Sequence, residues 1–422
     1  MNINLKNKTV LLGITGSISA YKSCEIARLF IKAGATVHIV MTPSAKKFIS
    51  ALTFEALTRN KVLSDDSESW SSDLNHIDIA NKCDIFIIAP ITANTINKLS
   101  KGIADNILLQ TALAFKGKIL IAPSANTQML KNHYTNGSLK MLKVNDCIVI
   151  ESQTKLLACG DIGDGALAEP LEIFYQGAKA LLEEDFWLDR KVVVTGGGTR
   201  EKIDEVRYLS NFSSGKMANS VALALYLKGA DVCYITTTDN QNLPNDIYTI
   251  DIDSSQEMLG YTIDAVRVAK KGKMSKTSMN SVDAPHLIQK RAYLFMISAI
   301  SDFTPKYPQQ GKVKKSMVGD EWNIELKSTK DILTEVNKDS LVTIGFKAEM
   351  DSSSGLDNAK NMLHNKDLDA VCYNLLADSD SFGTDDNSIS FISKDGVIDF
   401  GLKSKDELSF KILDESKKLT NE

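Results

Sequence analysis

Several absences narrow the reading of this sequence. Its six cysteines (Cys24, Cys83, Cys147, Cys159, Cys233 and Cys372) are scattered, and no two form a C-x-x-C pair. That spacing argues against a disulfide framework or a zinc site, and for a reducing, cytoplasmic setting. The formal net charge is −4 and there is no long basic run, so nucleic acid is not an expected partner. No apolar stretch approaches the roughly 20 residues that span a bilayer, and the first strand-like run is reached by Val10 without a signal-like apolar core. The dinucleotide fingerprint G-x-G-x-x-G is also missing in its usual form. What remains is 422 residues with 43% hydrophobic and 24% charged content. That is ordinary globular composition, and enough chain for two or three domains with real cores.

The stretch from Lys191 to Ala230 organises the rest. The apolar run Val192–Val194 leads into Gly196, Gly197 and Gly198, then a polar loop, then a helix-patterned run from Lys216. Backbone N–H groups of such a turn, with a helix N-terminus, suit a phosphate. The N-terminal region repeats the plan. Thr9–Gly13 reads as a strand, Thr15–Ser19 as a turn, and Ala20–Ala33 as a helix. TVHIVM, DIFIIAP and KILIAP read as further strands. Alternating strands and helices predict a parallel, doubly wound sheet, whose ligands collect at the strands' carboxyl ends. Three hydroxyl-rich segments fall there: Gly16–Ser19, Thr42–Ser44 and Pro90–Thr95. Together they favour a phosphorylated ligand.

The charged segment Leu182–Lys191 places a boundary near Asp185, giving domains 1–185 and 186–422. The second half again reads as α/β. Its expected elements include a helix over Ser255–Ala269, a long strand RAYLFMISAISDF whose end carries Asp302, a terminal antiparallel pair ISFIS/GVIDF and a closing helix over Ser404–Lys418. Lys270–Lys290 is polar and poorly periodic, and reads as a surface insertion. The fold class expected is therefore α/β, two consecutive doubly wound (Rossmann-like) domains.

Specific motifs carry a resemblance. GITGSISAYK, NHIDIA, IIAPITANTINKLSKGIADN, PSANTQM and ACGDIGDG resemble the flavin-dependent cysteine decarboxylase family, which has a flavodoxin-like flavoprotein domain. Family members bind FMN and form trimers that assemble further into dodecamers. The resemblance puts the family's active histidine at His76, its substrate-binding asparagine at Asn126 within P-x-x-N-x-x-M, and its proton-donating cysteine at Cys159. It puts FMN contacts near Gly16, Ser17, Thr42, Ser44, Thr95, Asp105 and Asn106. The chemistry is consistent with a flavin. A cysteine carboxylate loses CO2 reluctantly, because the carbanion has no electron sink. Oxidation of the thiol to a thioaldehyde supplies that sink. The family often has arginine after GDIGxG, where this chain has Ala166.

The second half resembles phosphopantothenate–cysteine ligase through TGGGTREKIDEVRYLSNFSSGKMA, AISDFTP, KVKK, KSTKDIL, GFKAE and NKDLDAVCYN. That family activates a carboxylate with CTP, forming an acyl-cytidylate that the amine of cysteine attacks. The resemblance implies that Lys312 binds phosphate and that Asn211 handles the acyl intermediate, with Arg207 nearby. It implies that Asp302, Lys330, Asp331, Ile332, Leu333, Phe346 and Lys366 contact substrate or nucleotide. A second lysine that the family often places four residues before Lys366 is Met362 here. Mg2+ is expected with the nucleotide, but no carboxylate constellation identifies its ligands. Together the halves resemble the bifunctional enzymes of bacterial coenzyme A synthesis, with 4′-phosphopantothenate, cysteine and CTP as small-molecule partners and a homo-oligomeric state. Two alternatives stand beside this reading: a chain with only one active half, and a non-enzymatic FMN-binding regulatory protein.

Overall fold

In the computed structural model, residues 3–156, 160, 162–239, 242–275, 279, 284–350, 353–375 and 383–420 are described. The chain divides into two units, Asn2–Leu182 with Ser275–His286, and Glu183–Met274 with Leu287–Glu422.

The first unit is built on β1 (Thr9–Ile14), β2 (Thr36–Met41), β3 (Ile85–Ile91), β4 (Lys118–Pro123) and β5 (Ile148–Val149). These form one parallel sheet of order β2-β1-β3-β4-β5. Each pure apolar run became a central strand. All seven residues of β3 are buried, as expected for a parallel strand covered on both faces. The covering helices are α1 (Ser23–Lys32), α2 (Ala51–Thr58), α3 (His76–Lys82), α4 (Ala93–Leu99), α5 (Ile107–Ala114), α6 (Thr127–Lys131), α7 (His133–Val144) and α8 (Pro170–Leu182). The segment Ile18–Lys22 is a 3-10 turn that precedes α1, so the expected helix starts later, at Ser23. A hairpin of β6 (Gln153–Leu156) and β7 (Ile162–Ala166) completes the unit.

The second unit begins with β8 (Lys191–Gly196), a small hairpin of β9 (Arg200–Lys202) and β10 (Tyr208–Ser210), α9 (Lys216–Leu227), β11 (Asp231–Thr236), β12 (Tyr248–Asp251) and α10 (Ser255–Ala269). The bounds of α10 match expectation because Ser254 and Glu257 form a capping box that fixes its start. β13 (Lys273–Met274) pairs with β14 (Leu287–Ile288) at the base of the polar insertion. Then come β15 (Ala292–Met296), the pair β16 (Phe303–Pro305) and β17 (Leu326–Ser328), α11 (Lys315–Val318), α12 (Ile332–Glu335), β18 (Leu341–Glu349), α13 (Gly355–Asn365), β19 (Ala370–Leu375), β20 (Asp386–Ser393), β21 (Gly396–Ser404) and α14 (Lys405–Ser416). The main sheet has the order β12-β11-β8-β15-β18-β19-β20-β21. It is parallel through β19, and β20 and β21 run antiparallel at the edge. The first six strands thus follow the order 3-2-1-4-5-6 of the doubly wound dinucleotide fold.

One expected element is shorter than its pattern. The long strand ends at Met296, not at Asp302. Beyond it, the N–H groups of Ile297 and Ser298 turn to donate to Thr195 Oγ1 at 3.1 and 3.3 Å. A side chain of the neighbouring strand therefore takes over the hydrogen bonding that would have extended the ladder. The charged segment before β8 is also more than a solvated link: Trp187 and Arg190 are fully buried. Arg190 donates to Arg291 O at 2.7 Å and lies 4.0 Å over the Phe186 ring.

Candidate functional sites

In each sheet the strand order reverses once. The crevice at that reversal, outside the carboxyl ends, is where open α/β sheets bind ligands. In the first unit the reversal lies between β1 and β3, and the hydroxyl segments converge there. Thr15 Oγ1 donates to Pro90 O at 2.8 Å and accepts from Thr92 N at 3.0 Å. Thr92 and Thr95 hydroxyls lie 3.2 Å apart. Ser124, just after β4, places its hydroxyl 3.2 Å from that of Ser17 and 3.0 Å from that of Ser19. Thr42 accepts from Ala45 N at 3.2 Å as the chain leaves β2. A Cβ on Gly16 would stand 2.6 Å from Ser44 Cβ, so only glycine lets the first turn close against the second. The result is a cradle of hydroxyls and backbone amides with little charge, which fits the phosphate and polar groups of a flavin nucleotide.

The helices put three further groups on this face. A crossover helix runs antiparallel to its strands, so the N-termini of α3, α5 and α6 all start at the carboxyl ends. His76 opens α3 behind the N-cap Asn75. Asn126 caps α6, and its Oδ1 accepts from Gln128 N at 2.9 Å. Asn106 caps α5 by accepting from Leu109 N at 3.1 Å. Its neighbour Asp105 takes a 2.5 Å hydrogen bond from Lys98, which holds the carboxyl below its ordinary range. The β6–β7 hairpin abuts the Asn126 segment. Ala125 N donates to Gly165 O at 3.2 Å, and a Cβ on Gly165 would sit 1.9 Å from Ala125 O. Cys159 belongs to the connection of this hairpin and lies outside the described residues. Burial pushes the thiols of Cys83 and Cys147 up to about 12, and that of Cys233 up to about 11. A cavity of about 480 Å3 lined by Leu99, Phe115, Lys118 and Cys147 opens at the opposite, amino end of β4, away from these groups.

In the second unit the reversal lies between β8 and β15. The glycine turn is present but is not followed directly by its helix, because the β9–β10 hairpin intervenes. Gly197 sits at φ +78°, and a Cβ there would be 2.2 Å from Thr237 Oγ1. Ala299 N donates to Gly197 O at 2.8 Å, and Thr199 N to Ala299 O at 3.2 Å, which stitches the turn to the chain after β15. Asn211 Nδ2 donates to Ile300 O at 2.9 Å. A cavity of about 410 Å3 lies between the turn, Arg200, Tyr208, Asn211–Ser213 and Thr237–Thr238.

The charged candidates form two groups. Arg207 donates to Asp204 Oδ2 through Nη2 and Nε at 2.6 and 3.0 Å, and to Val313 O at 2.6 Å. Its guanidinium lies 4.6 Å over the Trp322 ring. Asp204 also accepts from Val206 N, Arg207 N and Val313 N. Burial raises its carboxyl, but these donors outweigh that and bring it down to about 2. Lys312, next to Val313, is exposed in a loop. The other group joins α12 to α13. Lys366 caps α13 and pairs with Asp331 at 2.6 Å. Asp331 itself caps α12 by accepting from Leu333 N, and Ile332 and Leu333 are buried. Asp302 O accepts from Thr329 N at 2.9 Å, while Asp302 and Lys330 side chains are exposed. Phe346 is half-buried on β18. Among the described residues no cluster of three or more His, Cys, Asp or Glu could hold a metal ion.

Family models match in the same order as the two units. Residues 2–179 match a flavoprotein model, and 187–271 and 261–419 match that of the DNA/pantothenate metabolism flavoprotein C-terminal domain. The chain is 33% identical over 419 residues to the coenzyme A biosynthesis bifunctional protein of Haemophilus influenzae, covering 98% of each chain. It is 35% identical to that of Bacillus subtilis over 97% of each. The chain belongs to this bifunctional family. A crystal structure of the C-terminal domain of one such protein aligns over 56% of this chain and 98% of its own, at 28% identity and a TM-score of 0.42.

For a member of this bifunctional family, the two departures from the usual motifs have visible surroundings. Ala166 ends β7 opposite Gln153. Met362 packs on the core of the second unit, and its Cε would meet a Cβ at Gly345 at 2.9 Å. Two partners of the candidates were not singled out in the sequence: Glu68, 2.7 Å from His76, and Asp204, which accepts from Arg207. Asp204 was readable only as one acidic residue within a recognised motif. It accepts locally from Val206 and Arg207 and, more than a hundred positions on, from Val313 N.

Proposed function

We propose that this chain makes 4′-phosphopantetheine in two steps, the ligase in residues 186–422 and the decarboxylase in 1–185. It joins cysteine to 4′-phosphopantothenate and then removes CO2 from 4′-phosphopantothenoylcysteine. The observation that carries this reading is the family match over both units.

In the ligase half, the substrate carboxylate attacks the α-phosphate of CTP. Pyrophosphate leaves, the cysteine amine attacks the acyl-cytidylate, and CMP leaves. Lys312 offsets charge developing at the α-phosphate, Asn211 hydrogen-bonds the acyl intermediate, and Arg207 holds the adjoining loop. Asp302, Lys330, Asp331, Ile332, Leu333, Phe346 and Lys366 form the nucleotide's surroundings. Mg2+ enters with the triphosphate as part of the substrate.

In the decarboxylase half, Gly16, Ser17, Thr42, Ser44, Thr95, Asp105 and Asn106 would hold FMN. Bound FMN supplies a two-electron acceptor for the substrate thiol, which gives the carbanion left by CO2 its sink. Asn126 binds the departing carboxylate through its amide. His76 moves a proton near the flavin, and Cys159 protonates the enethiolate. We place the enzyme in the cytoplasm as a trimer-based homo-oligomer, extending to a dodecamer. No described helix is long and apolar enough to cross a membrane.

The test is a mass-resolved product assay on purified protein given 4′-phosphopantothenate, cysteine, Mg2+ and either CTP or ATP. Yellow protein that makes 4′-phosphopantetheine with CTP supports both halves. Accumulated 4′-phosphopantothenoylcysteine would overturn the assignment of His76, Asn126 and Cys159. Product with ATP alone would overturn the nucleotide assignment.

A further inference from the structure

His76, the candidate histidine of the first unit, pairs with a carboxylate whose role nothing so far assigns. Glu68 Oε1 lies 2.7 Å from His76 Nδ1, and both side chains are about four-fifths buried. The contact is built by the local chain. Glu68 N and Ser67 N both donate to Ser64 O, which makes a tight turn after the strand-like Val62–Ser64. Ser69 and Leu74 then exchange two backbone hydrogen bonds, at 2.8 and 3.1 Å. That bridge closes the loop 69–74 and returns the chain beside Glu68, just as Asn75 caps α3 and His76 begins it. Trp70, inside the closed loop, packs edge-on to the imidazole with ring centroids 5.7 Å apart. The neighbouring carboxylates are committed elsewhere. Asp65 accepts from Ile107 N, Asp66 pairs with Lys46, and Asp78 takes the Asn75 amide. Glu68 alone among these four faces the ring.

An ionised carboxylate can only accept. The proton between Glu68 and His76 therefore sits on Nδ1, and Nε2 of the neutral ring carries the lone pair. We propose that Glu68 is a positioning residue for decarboxylation: it fixes His76 in the Nδ1–H tautomer, keeps Nε2 ready to accept a proton, and stabilises the imidazolium once one arrives. The same logic governs carboxylate–histidine pairs elsewhere. This inference rests on the decarboxylase reading for its function but not for its geometry.

The experiment uses the full-length flavin-loaded chain with 15N-labelled histidine. The chain has five histidines, His38, His76, His133, His286 and His364, and His76→Asn assigns the one of interest. The wild type is expected to show His76 as Nδ1–H when neutral. Glu68→Ala is expected to turn the ring toward Nε2–H and to lower kcat for decarboxylation of added 4′-phosphopantothenoylcysteine about 10- to 100-fold, with KM held within about twofold and flavin absorbance retained. Glu68→Gln, which keeps shape and an acceptor, should keep Nδ1–H and recover part of kcat. An Nε2–H ring in the wild type overturns the proposal, as does a kcat within twofold of wild type in both variants. If Glu68→Ala does not fold, Glu68→Gln must still lower kcat, and wild-type turnover there sinks the idea. If the wild type itself decarboxylates nothing, the functional reading fails while the tautomer still tests the contact.

Discussion

The two crevices sit at equivalent places in their sheets, but the candidates of the two units differ in kind. The first is lined by hydroxyls and caps: Thr15, Ser17, Ser19, Thr92, Thr95 and Ser124 bond mainly to one another and to the backbone. The second unit's charged candidates are Arg207 on Asp204, Lys366 on Asp331, and the exposed Lys312 and Lys330, none of which lines its cavity. The difference follows from the chemistry proposed for each. A bound redox cofactor brings its own electron sink, so the protein mainly has to orient it. Transfer at a triphosphate concentrates negative charge at the moment of reaction, and fixed cations there are the effective response.

The comparison would be broken most sharply by Cys159→Ser. It should lower decarboxylation by about 10²- to 10⁴-fold, the usual range for a lost proton donor, and leave ligation unchanged. Single-turnover mass spectrometry should show an oxidised, decarboxylated species accumulating. Equal loss of both activities would mean that the halves are not chemically separate. The converse change, Lys312→Gln, should lower ligation by about 10²- to 10³-fold, read as pyrophosphate release. Decarboxylation of added 4′-phosphopantothenoylcysteine should stay at the wild-type rate.

Asp204 sharpens the contrast through pH. Its folded-state value, about 2, lies below the roughly 3.9 of an unfolded aspartate. The stabilisation it gives is therefore fully present above that unfolded value and is lost as pH falls through the folded one. Acid unfolding of the wild type, followed by circular dichroism, should include a component between about pH 4 and pH 2 that Asp204→Asn lacks. Because Asp204 accepts from both Arg207 and Val313 N, the variant should also loosen the Lys312 loop. KM for the nucleotide should rise by about 10-fold, with FMN binding unaltered. A wild-type acid profile in the variant would remove Asp204 from this role.

Those contacts mark the limit of what the sequence made legible. The buried runs of β1, β3, β8 and β18 and the capping box of α10 are local patterns, and local physics decides them. The family motifs located His76, Asn126, Asn211 and Lys312 as candidates. The sheet orders are not local, since no strand encodes its neighbour. The shortening of β15 depends on Thr195, about a hundred residues earlier. Arg207 meets Val313 across a similar separation. Glu68 and His76 are only eight apart, but a loop whose ends return through Ser69 and Leu74 has no periodicity to reveal it.

The smallest expected effect concerns Met362. A lysine there would restore the family's more usual charge beside Lys366, one helical turn on. The methionine, however, is partly buried against the second unit's core and reaches Gly345 on β18. Met362→Lys must then carry its ammonium out along the helix surface while its stem replaces the thioether, which costs about 1 kcal/mol in lost packing. Lys366 is already oriented by Asp331, so the added cation meets a site that is partly neutralised. The expected result is a melting temperature lower by a few degrees and a nucleotide KM lowered by no more than about threefold. A KM drop of tenfold or more would show that the second unit's charged group is short of one cation, and that its contrast with the hydroxyl-lined crevice is less complete than in its relatives.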